Sequence, residues 1–130
     1  MLKKSAKQVA QNAYAPYSRF RVGAALLDQD DNIFTGCNVE NLAFPSGICA
    51  ERTAVFKAVS EVGPSFRIKT LVIYTPSLHV TTPCGGCRQV IQEFASPETR
   101  IISYCDSSDE LDVLFSELFP SPTKIDSLEK

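Results

Sequence analysis

The sequence predicts an α/β fold, and three observations carry that prediction. Two apolar runs, over residues 21–27 and from Ile33, flank the polar stretch Asp28-Gln29-Asp30-Asp31-Asn32, which is the pattern of an antiparallel hairpin. Residues 71–74 and 100–104 read as buried strands separated by a helix-patterned segment, an order that suggests a parallel, right-handed crossover. Other segments repeat their apolar residues at helical spacing. With 130 residues the chain is expected to form one domain, over residues 1–130, large enough to bury a real core.

Taken in order, Leu2, Ala6, Val9, Ala10 and Ala13 recur at helical spacing, with lysines and glutamines opposite, so a first amphipathic helix is expected to stop before Pro16. Tyr14-Ala15-Pro16-Tyr17-Ser18-Arg19-Phe20 is an aromatic-rich connection, in which Tyr17 and Phe20 have about even odds of being core on burial statistics. The hairpin's second strand is expected to end at Gly36, and the polar Asn38-Val39-Glu40-Asn41 follows, where chains often place ligand contacts although a solvated loop is the bland alternative. Ser46 is placed to cap a helix from about 47 to 60 whose apolar face is Ala54, Val55, Ala58 and Val59, with Gly63-Pro64-Ser65 as its exit. Thr82 is placed to cap another helix with Pro83 at its first position, packed through Val90, Ile91, Phe94 and Ala95. Beyond residue 104 the periodicity leaves two choices. Leu111, Leu114, Phe115 and Leu118 fit a helix, with Ser107 and Glu110 as a capping box, while Leu111, Val113 and Phe115 fit a strand. Residues 120–130 are expected along the surface or against a partner.

Composition removes several function classes. An apolar fraction of 44%, a charged fraction of 22% and a net charge of −2 describe an ordinary globular protein without the basic stripe of a nucleic-acid binder. The charged start, Met1-Leu2-Lys3-Lys4, is not followed by a long apolar run, so neither a signal peptide nor a membrane span is expected and a cytoplasmic setting is. Five cysteines, an odd count, fit metal-binding or free thiols better than a disulfide framework.

The chemistry concentrates in two stretches, Cys49-Ala50-Glu51-Arg52 and Pro83-Cys84-Gly85-Gly86-Cys87-Arg88. A lone C-x-x-C is weak evidence and has a redox reading. A structural zinc site commonly has four ligands in two close pairs, whereas Cys84 and Cys87 form one pair with Cys49 lying 35 residues upstream. Three thiolates suit a zinc ion that keeps one position for water, and Glu51 suits the proton traffic of that water. Spacing leaves Cys37, Cys105 and His79 open as further ligands, although His79 reads as surface loop. Three thiolates and one dication sum to about −1, so guanidinium groups from Arg52 and Arg88 near the sulfurs would temper that charge. Surface salt bridging is their alternative, with Arg88 evenly balanced between the two.

Cys49-Ala50-Glu51 followed by Pro83-Cys84-Gly85-Gly86-Cys87 is the signature of the zinc deaminases in its three-Cys form. With Tyr14-Ala15-Pro16-Tyr17-Ser18, Val22-Gly23-Ala24-Ala25-Leu26, Gly36-Cys37-Asn38-Val39-Glu40-Asn41 and Cys87-Arg88-Gln89-Val90, the chain resembles the small homotetrameric cytidine deaminases over roughly residues 10–95. The resemblance implies a three-layer α/β/α sandwich around a five-stranded mixed sheet, with a short fifth strand near residues 111–114 and a short helix ending before Pro120. It implies hydrolytic deamination of cytidine and 2′-deoxycytidine to the uridines with release of ammonia, in pyrimidine salvage. Cys49, Cys84 and Cys87 would hold one zinc per subunit, and Glu51 would move protons between water, N3 and the departing amine. Phe20 would pack on the base, the backbone around Ala50 would help recognise it, and Asn38 and Glu40 would bind the ribose. Arg52 and Arg88 would support the ligands. Tyr17 and Phe44 are possible contacts between subunits of a tetramer whose active sites are shared.

Two departures stand out. Phe44 stands where many relatives carry Tyr, and Thr123 where they usually carry a Phe that helps cover a neighbouring subunit's pyrimidine. These keep a modified nucleoside or nucleoside antibiotic in view as substrate. A non-catalytic zinc-binding or redox protein is the alternative from another class, and an editor of polynucleotides is disfavoured by the acidic balance.

Overall fold

The computed structural model describes residues 1–123, so the expectation for 120–130 falls largely outside the described residues. The elements run α1 (Leu2–Ala10), β1 (Gly23–Asp28), β2 (Ile33–Cys37), a 3-10 turn (Phe44–Ser46), α2 (Ala50–Val62), β3 (Ile68–Tyr74), α3 (Gly85–Gln92), β4 (Ala95–Tyr104), β5 (Glu110–Leu114) and α4 (Phe115–Leu118). One five-stranded sheet has the order β2-β1-β3-β4-β5. The β3–β4 pair is parallel and the others antiparallel, so the sheet is mixed. The expected hairpin is β1–β2, and the expected crossover is β3–α3–β4.

Alternation along the central strands sorts the two faces. Ala25, Val72 and Tyr74 point to one side, where α1 covers them with Ala6 and Ala10. Ala24, Leu26, Leu71, Ile73 and Ile101 point to the other, where α2 brings Ala50, Ala54, Val55 and Ala58, α3 brings Ile91 and α4 brings Phe115. This is the expected three-layer α/β/α sandwich. The tail resolves as strand followed by short helix. Val113 pairs with Ile101 and Leu111 with Ser103, while Phe115 turns into the core.

Several boundaries differ from the sequence expectation for physical reasons. Gly36 does not end β2; it lies inside the strand, where a Cβ would sit 2.4 Å from the Ala54 backbone nitrogen and 2.7 Å from the Ala50 carbonyl oxygen. Its lack of a side chain is what lets α2 lie on the sheet. Gly23 serves α1 in the same way, since a Cβ there would meet the Ala6 carbonyl oxygen at 1.8 Å. Neither Ser46 nor Thr82 caps a helix. Ser46 is in the 3-10 turn, and the residues at the cap positions of α2 and α3 are Cys49 and Cys84, both in extended conformation and without a side-chain cap bond. Pro83 accordingly lies just before the cap of α3 rather than at its first helical position.

The register places one set of ends together. Gly23 at the start of β1 pairs with Cys37 at the end of β2 and with Tyr74 at the end of β3, and Tyr74 pairs with Tyr104 at the end of β4. The segments before β1, after β2 and after β3 therefore meet at one end of the sheet, beyond the carboxyl ends of the parallel pair, where open α/β sheets commonly bind ligands.

Candidate functional site

A cavity of about 550 Å³ opens at that end of the sheet. This is within the usual range for small-molecule sites. Its floor includes Ile73 and Thr75 from β3 and its exit, and its sides include Cys49, Glu51 and Cys84. Because α2 and α3 both begin here, the first-turn N–H groups and the positive helix ends favour thiolate over thiol.

Cys49, Cys84 and Cys87 have their sulfurs within 4.8 Å of one another, and they form the one such group of His, Cys, Asp and Glu among the described residues. Sulfurs on a tetrahedral zinc lie roughly 3.8 Å apart, given Zn–S bonds of about 2.3 Å. The donor set thus fits zinc with little adjustment. Cys49 and Cys87 differ in how firmly they hold their protons. The hydrogen bond from Cys87, together with the Arg52 guanidinium, brings the Cys49 thiol down to about 5 despite burial. That same bond and burial push Cys87 up. Arg52 donates through Nη2 to the Cys49 sulfur at 3.1 Å, which raises its own pKa. Its Nε is buried without a partner.

Glu51 is 7% exposed, and burial pushes its carboxyl up to about 6, with the Cys49 thiolate adding to the shift and Arg52 opposing it. It is in the first turn of α2, beside the sulfurs, and lines the cavity. A carboxyl poised this close to neutrality can both take and return a proton. Ala50, fully buried, starts α2 and also lines the cavity.

Further lining comes from residues 17–22 and 38–41. Asn38 is locked by its amide, with Oδ1 accepting from the Val22 N–H at 2.9 Å and Nδ2 donating to the Phe20 carbonyl at 2.8 Å. Glu40 is held by the backbone N–H groups of Tyr17 and Ser18, both at 3.0 Å, and by the Ser18 hydroxyl. The Ser18 hydroxyl first, then these N–H groups, keep the Glu40 carboxyl below the ordinary carboxylate range. Phe20 and Tyr17 line the cavity at 36% and 57% exposure, so neither is a core residue. Phe44, also on the cavity rim, is 90% exposed.

Arg88 does not take the place expected for it near the sulfurs. Its guanidinium donates to the carbonyls of Pro83 at 2.7 Å and Leu118 at 2.6 Å and to the Thr82 hydroxyl at 3.0 Å. It ties the loop ahead of Cys84 to the end of α4. His79 is exposed in a loop, and Cys37 and Cys105 are outside the three-sulfur group. Thr123 is exposed. Within residues 14–20, Phe20 and Tyr17 were given roles but Ser18 was not, and its grip on Glu40 was missed; a hydroxyl–carboxylate pair 22 residues apart leaves no periodic signal.

The chain matches the family described as the cytidine and deoxycytidylate deaminase zinc-binding region over residues 1–103. It is 40% identical over 120 residues to a cytidine deaminase of Halalkalibacterium halodurans, covering 92% of this chain and 89% of that one. It is 51% identical over 90 residues to a cytidine deaminase of Sporosarcina psychrophila, covering 69% of this chain and 65% of the relative, just under two thirds of its length. Among solved structures it resembles a cytidine deaminase of Burkholderia pseudomallei with a TM-score of 0.87 and 35% identity, covering 94% of this chain and 96% of that one.

Proposed function

From the premise that the chain belongs to the cytidine and deoxycytidylate deaminase zinc-binding family, we propose that it hydrolyses cytidine and 2′-deoxycytidine to uridine and 2′-deoxyuridine, releasing ammonia. The observation that carries this reading is the buried Glu51 carboxyl lining one cavity with Cys49 and Cys84, whose sulfurs and that of Cys87 lie within 4.8 Å of one another. Cys49, Cys84 and Cys87 would hold one zinc per subunit. Zinc, when bound, supplies the Lewis acidity that makes water a competent nucleophile near neutral pH.

The remaining work falls to the chain's own groups. Glu51 takes a proton from the attacking water and delivers it to N3 as C4 becomes tetrahedral. It then helps protonate the 4-amino group, which leaves as ammonia while the C4 oxygen becomes the carbonyl of uridine. Arg52 draws charge from the Cys49 sulfur and so limits what three thiolates would take from the metal's acidity. Phe20 stacks on the base, the backbone around Ala50 reads its edge, and Asn38 and Glu40 receive the sugar. Arg88 acts on the ligands at one remove, by fixing the loop before Cys84.

The same reading places the enzyme in pyrimidine salvage, in the cytoplasm, as one catalytic domain over residues 1–130. No helix among the described residues is long and apolar enough to cross a membrane. A homotetramer with shared active sites is supported by the exposed apolar residues Leu42 and Phe44 at 86% and 90% exposure, beside Tyr17. Polynucleotides are not the substrate on this reading. A redox role for Cys84 and Cys87 leaves the third sulfur and Glu51 without a purpose.

The test is ammonia release from cytidine by the zinc-loaded protein, with Glu51→Ala beside it. The expected result is turnover in the parent and a loss of several orders of magnitude in the variant at full zinc content. Near-normal turnover by the variant would remove Glu51 from the chemistry. A zinc-loaded parent that ignores cytidine would move the substrate to a modified nucleoside, for which the Phe44 and Thr123 departures are the motive.

A further inference from the structure

The 17–20 segment closes around Glu40 more completely than a surface loop needs to. Oε1 of Glu40 accepts two backbone N–H groups, from Tyr17 and Ser18, each at 3.0 Å. Oε2 accepts the Ser18 hydroxyl. The hydroxyl is itself committed, because it accepts the Phe20 N–H at 3.0 Å. Between them Arg19 takes a φ of 58°, a left-handed conformation that L residues with side chains rarely adopt. This reversal is what brings the Phe20 N–H back onto the Ser18 oxygen. One hydroxyl thus joins the carboxylate to the backbone of Phe20, whose ring lines the cavity with Glu40 and Ser18.

The count of donors and acceptors says what remains. An ionised carboxylate offers about four lone-pair positions, and three are filled. The fourth, on Oε2, belongs to a group that lines the cavity. An acceptor-only anion there takes a hydroxyl donor and repels a phosphate. The hydrogen bonds that hold the carboxyl below its ordinary range keep it an acceptor.

We propose that Ser18 is a positioning residue that fixes the Glu40 carboxylate, and with it the Phe20 backbone, so that one lone pair is presented to a sugar hydroxyl of the substrate. The inference rests on the nucleoside reading given above. The hydrogen bonds of Ser18 go to Glu40 and Phe20, so its effect belongs to substrate binding and not to the chemical step.

The experiment compares the zinc-loaded parent, Ser18→Ala and Ser18→Thr on cytidine and on 2′,3′-dideoxycytidine, which lacks the two ring hydroxyls, 2′ and 3′, that the proposal assigns to Glu40. For Ser18→Ala the expected result is a KM for cytidine raised about tenfold, with kcat within about twofold, since a charge-assisted hydrogen bond that orders the acceptor is lost. On the dideoxynucleoside the same variant should match the parent in kcat/KM. Ser18→Thr, which keeps the hydroxyl, should restore the cytidine KM. Thermal unfolding of each variant separates a folding defect from a binding one. An equal loss of kcat/KM on both substrates, or an unchanged KM for cytidine in Ser18→Ala, would overturn the proposal. A parent that deaminates neither substrate would instead overturn the functional reading beneath it.

Discussion

Gly36→Ala adds a single methyl group, yet it should disturb the metal site more than most surface changes can. The added Cβ would lie 2.4 Å from the Ala54 nitrogen, 2.7 Å from the Ala50 oxygen and 2.9 Å from the Ala54 Cα. All three atoms are backbone, so no side-chain rotation relieves the overlap. The first turn of α2 must therefore retreat from β2 by about 1 Å, the step from 2.4 Å to ordinary contact near 3.4 Å. That turn carries Cys49, Ala50 and Glu51, whereas Cys84 and Cys87 ride on α3 and stay behind. Overpacking of this kind costs roughly 1–3 kcal/mol. At this chain length each kcal/mol moves Tm by roughly 4 °C, so a fall of about 4–12 °C is expected. Misplacing a reacting group by about 1 Å costs on the order of 100-fold in rate. Thermal unfolding with and without zinc, at fixed protein concentration, and competition against a chelator measure both effects. Gly85→Ala is the control, because a Cβ at Gly85 meets nothing within 4 Å although it lies between two of the cysteines. It should leave Tm within a degree or two of the parent or raise it slightly. A Gly36→Ala protein with parental Tm and zinc retention would show that α2 is not held at this distance by the glycine.

Other perturbations test other parts of the frame. Arg88→Ala removes three donors from Pro83, Leu118 and Thr82 and should cost about 2–3 kcal/mol and speed zinc loss to a chelator, with Arg88→Lys in between because an ammonium cannot reproduce the fork. Asp28, 0% exposed, accepts from the backbone of Asp30 at 2.9 Å and of Asn32 at 2.8 Å. Burial pushes its carboxyl up, but the bonds from Asn32 and Asp30 outweigh that and leave it below 3.8. A carboxyl lowered in the folded state stabilises fully above its unfolded pKa and loses that contribution as pH falls through the folded value. The parent's stability advantage over Asp28→Ala, about 1–3 kcal/mol at neutral pH, should shrink only below about pH 4 in denaturant titrations.

What the sequence made legible follows the range of the signal. The β1–β2 hairpin announced itself by a local polar turn, and α1 by its 3.6-residue period, so both were readable without the rest of the chain. The Cys84–Cys87 pair was readable because its spacing within one helix start is local, whereas Cys49, at the start of another helix, was joined to it only by the motif resemblance. Helix starts were misread for a physical reason. Ser46 and Thr82 have the usual capping chemistry, but the chain gives the cap positions of α2 and α3 to Cys49 and Cys84, whose sulfurs are needed inside the cavity. Gly36 looked like a strand end because a close approach between β2 and α2 has no local mark. Tyr17 and Phe20 stood at about even odds of being core because aromatic type alone does not reveal that they line a cavity. Arg88 was placed near the sulfurs by adjacency in sequence, whereas its partners Pro83 and Leu118 lie on either side of it, 5 and 30 residues away.

The layout separates two kinds of control over one reaction. The proposed metal ligands and Glu51 sit on helix starts pressed against the sheet, where position is set by backbone contacts such as Gly36 against Ala54. The groups proposed for the sugar sit on residues 17–22 and 38–41, which line the same cavity but are joined to each other by side-chain and backbone hydrogen bonds. Changes in the first set should therefore appear in zinc retention and turnover, and changes in the second in KM and in the choice of sugar. The two departures that the family resemblance implies, at Phe44 and Thr123, can be placed by the same division. Phe44 is on the lip, not among the helix starts, and Thr123 is exposed beyond α4. Neither is among the residues proposed as ligands or for proton transfer. Their expected effect is on which nucleoside enters and how tightly it is held, with the rate of the chemical step on a bound nucleoside unchanged.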